Sequence, residues 1–117
     1  MRREYRCGGE TRSASGLFQF HTITPKPSHP MSTDSKAEWR AFWNERYSEP
    51  EPAYGMEPNV FFAEQMRGLE AGRILLPAEG QGRNALHAAA LGWQVLACDY
   101  SESGRRHALD AASREGL

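Results

Sequence analysis

The stretch that decides the fold runs from residue 73 to residue 99 and has the sequence RILLPAEGQGRNALHAAALGWQVLACD. Its two ends, residues 73–78 and 93–98, are apolar runs of strand length without polar alternation, which favours parallel strands covered on both faces. Residues 84–91 between them are rich in alanine and leucine and predict a helix that ends at Gly92. The order strand, helix, strand predicts one complete βαβ unit.

A glycine-containing turn of sequence EGQGRN, residues 79–84, joins the first predicted strand to the helix. Glycine lets the backbone approach a ligand closely because no Cβ intrudes, and the N–H groups at a helix start attract anionic or carbonyl oxygens. Asp99 follows Gly80 by nineteen positions, at the end of the second predicted strand. A carboxylate there can accept hydrogen bonds from both hydroxyls of a ribose, so the unit predicts a site for an adenosine-containing cofactor.

An aromatic helix is predicted over residues 35–47, where Ser35 begins a capping box. Its aromatic residues recur at helical spacing on one face, and they are Trp39, Phe42, Trp43 and Tyr47. We expect Trp39 and Phe42 to pack into a core, whereas Trp43 is a candidate for contact with a cofactor.

Two further helices complete the predicted elements. One has Pro58 in its first turn and ends before Gly72, and the other follows the N-cap Ser101 over residues 102–115. A sheet of about two strands leaves one or two edges bare. We therefore expect low stability and a tendency to associate for a chain of this size.

The amino-terminal residues differ in composition from the rest. Residues 1–30 carry five basic and two acidic side chains with three prolines, whereas residues 31–117 have a net charge of −4. Such a segment buries too little apolar surface to offset the entropy of ordering it, so residues 1–30 are predicted to be a disordered extension. The protein-like sequence begins near Met31. A transit peptide is an alternative interpretation of residues 1–30.

The composition of the 117 residues excludes several classes of function. A net charge of −1 gives no electrostatic reason to expect a nucleic-acid partner or a polybasic membrane anchor. The two cysteines, Cys7 and Cys98, build no disulfide framework, and a reduced, cytoplasmic protein is the expectation. No spacing of side chains typical of a metal site or of a catalytic triad occurs, so the sequence identifies no catalytic residue and no metal ligand.

Several of these stretches together resemble a known family. They are Phe42-Trp43-Asn44-Glu45-Arg46-Tyr47, Tyr54-Gly55, Glu57-Pro58-Asn59, residues 78–85, and Asp99-Tyr100-Ser101 with Gly104. Residues 43–104 resemble the amino-terminal half of class I S-adenosylmethionine-dependent methyltransferases, of the tellurite-resistance and thiopurine methyltransferase type. The resemblance covers about half of the chain, and its most specific parts are the Gly-Arg-Asn-Ala stretch and the Asp-x-Ser stretch.

The resemblance implies a truncated Rossmann-like three-layer α/β fold, with about two parallel strands and four helices present. It implies S-adenosylmethionine as cofactor, a small molecule as methyl acceptor, and these cofactor-binding residues: Glu79, Gly80, Gly82, Asp99, Tyr100, Ser101, Trp43 and Tyr54. The sequence departs from the family at Leu76, where many members have an acid, and at Ala78, where they have a glycine. The family sheet has seven strands, so a chain with about two is expected to be inactive by itself.

Two alternatives remain open. The pattern Gly80-x-Gly82-x-x-Ala85 also fits the fingerprint of an NAD(P)-binding Rossmann domain, in which Asp99 would bind the adenosine ribose. A carboxylate at Glu79 suits a cationic amino-sulfonium ligand better than a pyrophosphate, and this favours the methyltransferase interpretation. The other alternative is a non-catalytic remnant of such a domain.

Overall fold

The predicted βαβ unit is present in the computed structural model, which describes residues 6–8, 16, 18–24 and 33–117. In chain order the elements are β1 (Arg6–Gly8), β2 (Phe18–Thr24), α1 (Thr33–Arg46), α2 (Val60–Met66), β3 (Arg73–Pro77), α3 (Arg83–Ala90), β4 (Gln94–Asp99) and α4 (Glu102–Glu115). The protein is therefore a mixed α/β fold with four helices in its described part. None of these helices is both long and apolar enough to cross a membrane.

The four strands form one sheet in the order β1-β2-β4-β3. Strands β3 and β4 are parallel, as expected for a βαβ unit, and Leu75 lies beside Leu96 in their register. Strand β2 is also parallel to β4, on its other side, whereas the short β1 is antiparallel to β2. The expectation of about two parallel strands is thus wrong, because the sheet has three.

The third parallel strand comes from the segment that was expected to be disordered. Phe18–Thr24 pairs with β4 over five residues, and the side chains of Phe18 and Phe20 are 0% exposed. The sequence FQFHTIT is rich in strand-forming types, and its first four residues alternate between phenylalanine and polar side chains. This local pattern outweighs the composition around it. The remaining residues of the 1–30 segment, apart from 6–8 and 16, lie outside the described residues.

Among the described residues, the core lies on one face of the sheet. Phe18, Phe20, Val95 and Ala97 are buried there against the alanine-rich faces of α3 and α4, whose small side chains let the helices approach closely. On the other face, the described residues leave the part formed by β3 and β4 largely exposed. Leu75 is 62% exposed and Leu96 is 38% exposed. The apolar runs of β3 and β4 are therefore covered on one face, not on both as their sequences indicated.

The aromatic face of α1 is not a core. Trp39 is 59% and Phe42 is 53% exposed, which corrects the expectation that both pack inside, whereas Tyr47 just beyond the helix is buried. The rings pack mainly on each other, with Trp43 stacked between Trp39 at 6.4 Å and Tyr47 at 5.3 Å. The helix begins at Thr33, before the predicted cap at residue 35. It packs mainly against α4, and its Arg40 also donates a hydrogen bond to the Ile23 carbonyl of β2.

Helix α2 is shorter than its sequence pattern indicated. It spans Val60–Met66, and its N-cap is Asn59, whose side chain accepts a hydrogen bond from the Phe62 N–H. Pro58 therefore precedes the helix instead of lying in its first turn. Helix α4 has the predicted N-cap, because the Ser101 side chain accepts a hydrogen bond from the Gly104 N–H.

Replacing Phe18 with alanine tests whether β2 belongs to the core. A phenylalanine truncated in a packed interior costs about 3–5 kcal/mol, because the lost contacts leave a cavity. We expect Phe18→Ala to lower the free energy of unfolding by that amount in urea titrations. Gln19→Ala, on the other face of the same strand, should change it by less than about 0.5 kcal/mol. Equal effects of the two substitutions would contradict the burial of β2.

Candidate functional site

The backbone turns sharply between β3 and α3. Ala78, Gly80 and Gly82 have φ angles of 56°, 55° and 83°, all in the left-handed region that favours glycine. The Gly82 N–H donates to the Glu79 carbonyl at 2.9 Å, and Gly82 is the N-cap of α3. Ala78 has a Cβ and is the only residue other than glycine with a positive φ in the described part of the chain. The loop therefore holds local strain at the position where the resembling family has glycine.

The glycines of this loop leave room for other parts of the protein. A Cβ at Gly80 would lie 2.6 Å from the Tyr47 ring, and one at Gly82 would lie 2.7 Å from the Ala108 Cβ. A Cβ at Gly104 in α4 would lie 2.6 Å from the Gly80 carbonyl oxygen. Each distance is too short for a real Cβ contact. The space above Gly80, where a ligand was expected to approach, is filled in this structure by Tyr47.

The Asp99 carboxylate lies beside the loop, as its position at the end of β4 predicted. Its Oδ2 accepts a hydrogen bond from the Gly80 N–H and its Oδ1 accepts one from the Ser101 N–H, both at 2.8 Å. The residue is 9% exposed. Each carboxylate oxygen has a second lone pair, so the group can still accept from a ligand hydroxyl while it holds the loop to the start of α4.

Ser101 and Asn44 connect this site to α1. The Ser101 hydroxyl donates a hydrogen bond to the Asn44 Oδ1 at 2.8 Å. The same amide oxygen accepts a second hydrogen bond, from the Ser103 N–H, at 3.3 Å. Ser101 is fully buried. Asn44 is not among the predicted site residues, although it lies within the FWNERY stretch on which the family resemblance partly rests.

The ionisation of the Glu79 carboxyl is strongly displaced. Burial raises its pKa from an ordinary 4.5 to about 7. Hydrogen bonds from the Ala85 backbone and the Asn84 side chain act in the opposite direction, as does the charge of Arg83, whereas the charge of Asp99 raises the pKa further. The Ala85 N–H donates to the Glu79 Oε2 at 2.9 Å. A carboxyl group thus caps the amino-terminal turn of α3 and exchanges its proton near neutral pH.

A cavity of about 450 Å³ opens beside Glu79. The loop and the start of α3 contribute Glu79, Gly82 and Asn84 to its lining, and α4 contributes His107 and Arg114. The segment after α1 closes another side, with Tyr47 and Tyr54 among its lining residues. Burial raises the pKa of the Tyr47 phenol to about 12, so the group stays a neutral hydrogen-bond donor.

Two polar side chains hold the segment after α1 in place. Arg83 donates to the Tyr54 carbonyl at 3.1 Å, and its guanidinium lies 5.6 Å from the centre of the Tyr54 ring. Gln81 accepts from the Ala53 N–H at 2.9 Å and donates to the Tyr47 carbonyl at 3.4 Å. These two residues of the glycine loop therefore position one wall of the cavity.

The predicted cofactor-binding residues are divided among three places. Glu79, Gly82 and Tyr54 line the cavity. Gly80, Asp99 and Ser101 are buried. Trp43 and Tyr100 line a second cleft of about 310 Å³, with Lys36, Trp39 and Arg40. Tyr47 lies between the cavity and the cleft, because it lines the cavity and its ring stacks on Trp43 in the cleft.

Comparison of the chain with protein-family models, with curated proteins and with solved structures gave no match.

Replacing Ala78 with glycine should stabilise the protein. A left-handed φ costs a residue with a Cβ about 1–2 kcal/mol, and the greater entropy of glycine in the unfolded chain offsets part of the gain. We expect Ala78→Gly to raise the free energy of unfolding by about 0.5–1 kcal/mol in urea titrations. Ala90→Gly, at the exposed end of α3, should lower it by a similar amount. A loss of stability in both variants would contradict the strained loop.

The Glu79 carboxyl should make stability depend on pH. Because its pKa in the folded protein is raised, the fold favours the protonated form, and this contribution is fully present below pH 4.5 and is lost as the pH rises through 7. Relative to Glu79→Gln, the wild type should lose up to about 3 kcal/mol of stability between pH 5 and pH 8. Thermal and urea unfolding of both proteins measures the difference. Glu64→Gln, on the exposed part of α2, is the matched control and should show much less change.

Proposed function

We propose that this chain binds S-adenosylmethionine at the loop between β3 and α3 and serves in methyl transfer to a small molecule. The observation that carries the proposal is the partly buried Glu79 carboxyl, which lines the cavity at the start of α3 and titrates near neutral pH. The resemblance of residues 43–104 to class I methyltransferases supports the same function. A Rossmann-like architecture is part of the proposal, since the order β2-β4-β3 agrees with the 3-2-1 half of a doubly wound sheet.

Glu79 favours a cationic ligand over a pyrophosphate. In a dinucleotide-binding loop, the free N–H groups at the helix start receive the phosphates. Here the Ala85 N–H already donates to the Glu79 carboxyl, and an ionised carboxylate would repel a phosphate. An ammonium group would instead stabilise the ionised form of Glu79. The NAD(P)-binding alternative is therefore the weaker of the two.

The other predicted residues suit the remaining parts of the cofactor. The free lone pairs of Asp99 can accept from ribose hydroxyls, and the cleft beside Trp43 and Tyr100 offers aromatic faces to a planar base. Tyr47 fills the space between these regions and would have to shift for one ligand to reach both. The cavity and the cleft are of the size that small-molecule sites commonly have.

The protein's part in such a reaction is orientation and the exclusion of water. When bound, S-adenosylmethionine supplies an electrophilic methyl group on a sulfonium centre. Glu79 would hold the ammonium end, Asp99 the ribose, and the segment positioned by Arg83 and Gln81 would screen the cavity from solvent. In-line displacement of the methyl group needs no general base when the acceptor is already a nucleophile. We assign no catalytic residue.

Equilibrium dialysis with labelled S-adenosylmethionine and, separately, NADP tests the proposal. We expect S-adenosylmethionine to bind and Glu79→Gln to weaken its binding about tenfold or more, which corresponds to about 1.4 kcal/mol for one charge-assisted contact. Glu64→Gln should bind as the wild type does. Wild-type affinity should rise between pH 6 and pH 7.5, because Glu79 becomes ionised, and this rise should be absent in Glu79→Gln.

Two results would contradict this function. Binding of NADP without binding of S-adenosylmethionine would support the dinucleotide alternative. Binding of neither ligand by a protein that unfolds cooperatively would support the alternative of a non-catalytic remnant.

A further inference from the structure

The edge of β4 that faces away from β3 forms one wall of a groove. Its floor consists of the small buried side chains of α3 and α4, among them Ala88, Ala108 and Ala112. Larger residues at these positions would fill the space that two aromatic rings now occupy. In the structure these rings belong to Phe18 and Phe20, the largest fully buried side chains of the described residues.

The groove recognises its occupant in two ways. Five residues of β2 pair in parallel with β4, from Phe18 beside Val95 to Thr22 beside Asp99, so the backbone provides the hydrogen bonds. Every second side chain points to the core, which selects apolar or small residues at those positions. This combination of strand pairing along an edge with pockets for alternate side chains is the arrangement by which proteins bind extended peptides.

Polar contacts at the far end of β2 set its register. The Thr22 hydroxyl donates to the Glu102 carboxylate at 2.6 Å, and Arg40 of α1 donates to the Ile23 carbonyl at 3.2 Å. A slip by one residue would move both phenylalanines out of the core and break both contacts. The occupant is therefore defined by its sequence and not only by its backbone.

The source of this strand is unusual for its position in the sheet. In a doubly wound sheet of order 3-2-1, the strand beside the second strand is reached by the crossover that follows it. Here the strand in that position is β2, which precedes β3 and β4 in the chain. Thr22 of β2 and Asp99 of β4 are neighbours in the sheet, yet they lie 77 residues apart in sequence. Strands β3 and β4 with helices α3 and α4 are contiguous between residues 73 and 115, whereas β2 joins them only through contacts of long range.

We infer that the β4 edge is a strand-accepting groove and that residues 18–24 occupy it as a separable ligand carried by the same chain. A covalent link through residues 25–32 raises the local concentration of this strand, but the contacts that hold it are non-covalent. Binding of residues 18–24 in the groove also affects the candidate site, because two of these residues lie beside it. Phe20 lies 3.9 Å from the position of a Cβ on Gly82, and Thr22 binds the first residue of α4.

The inference is tested on the full chain with a site for a sequence-specific protease inserted between Pro27 and Ser28. The protein is cleaved in its folded state or, where the folded chain resists, in urea before refolding. Native mass spectrometry then measures whether the amino-terminal piece stays bound. A fluorescent peptide of residues 16–26 is then added, and its uptake measures how readily the bound amino-terminal piece is replaced. We expect the piece to be retained, to leave on dilution and to be replaced by the peptide.

Peptides with matched substitutions distinguish specific binding in the groove from non-specific hydrophobic binding. A peptide with Phe18→Ser and Phe20→Ser should compete at least 100-fold less well, because two rings lose their burial. A peptide with Gln19→Ser and His21→Ser should compete within about fivefold of the natural one. The His21 Nδ1 is buried and has no hydrogen-bond partner among the described residues, so the substitution loses no hydrogen bond at that atom.

Three results would overturn the inference. One is loss of the cleaved piece without any change in urea unfolding, which would mean that β2 adds nothing to the fold. Another is a piece that cannot be exchanged until the whole chain unfolds, which would make β2 an integral strand. The third is equal competition by the two substituted peptides. None of these results depends on S-adenosylmethionine binding, so failure here is distinguishable from failure of the proposed function.

Discussion

The Asp99 carboxylate joins three parts of the chain, because it ends β4 and accepts hydrogen bonds from the Gly80 and Ser101 N–H groups. A buried N–H without an acceptor costs about 1–3 kcal/mol, and this single group satisfies two of them. The same contacts fix the glycine loop relative to α4, and Ser101 extends the connection to α1 through Asn44. Asp99 therefore has a structural role that is independent of the proposed ribose contact, and loss of the carboxylate would disturb the loop even without a ligand.

Close packing around the loop follows from this constraint. With Gly80 held against Asp99, its carbonyl meets α4 at Gly104 and its α-carbon meets the Tyr47 ring, so neither glycine position has space for a Cβ. Glycine in such a loop is often explained by the approach of a ligand. In this chain the protein's own groups are sufficient to require it, and the case for a ligand depends more on the displaced pKa of Glu79 than on the glycines.

Local patterns in the sequence predicted the βαβ unit, the turn at Gly80 and Gly82, the Ser101 cap and the position of Asp99, since each depends on neighbouring residues. Helical spacing also showed that Trp39 and Trp43 share a face, but periodicity does not reveal what covers that face. Strand β2 was missed because composition was averaged over thirty residues, whereas seven residues of high strand propensity were enough to form a strand. The separation of the predicted site residues into a cavity, a cleft and a buried group arises from Tyr47, whose contacts are tertiary.

Among the described residues no strand pairs with the outer edge of β3, and this has a consequence for self-association. Between the charged Arg73 and the cyclic Pro77, only three apolar residues of the strand are free to pair along this edge. Amyloid-forming segments commonly need about six or seven residues of high strand propensity without proline. A charge at one end and a proline at the other act as gatekeepers against extended pairing. Leu75 and Leu96 form an exposed apolar face beside this edge. The stretch of β3 that can pair with another strand is shorter than the segments that commonly form fibrils.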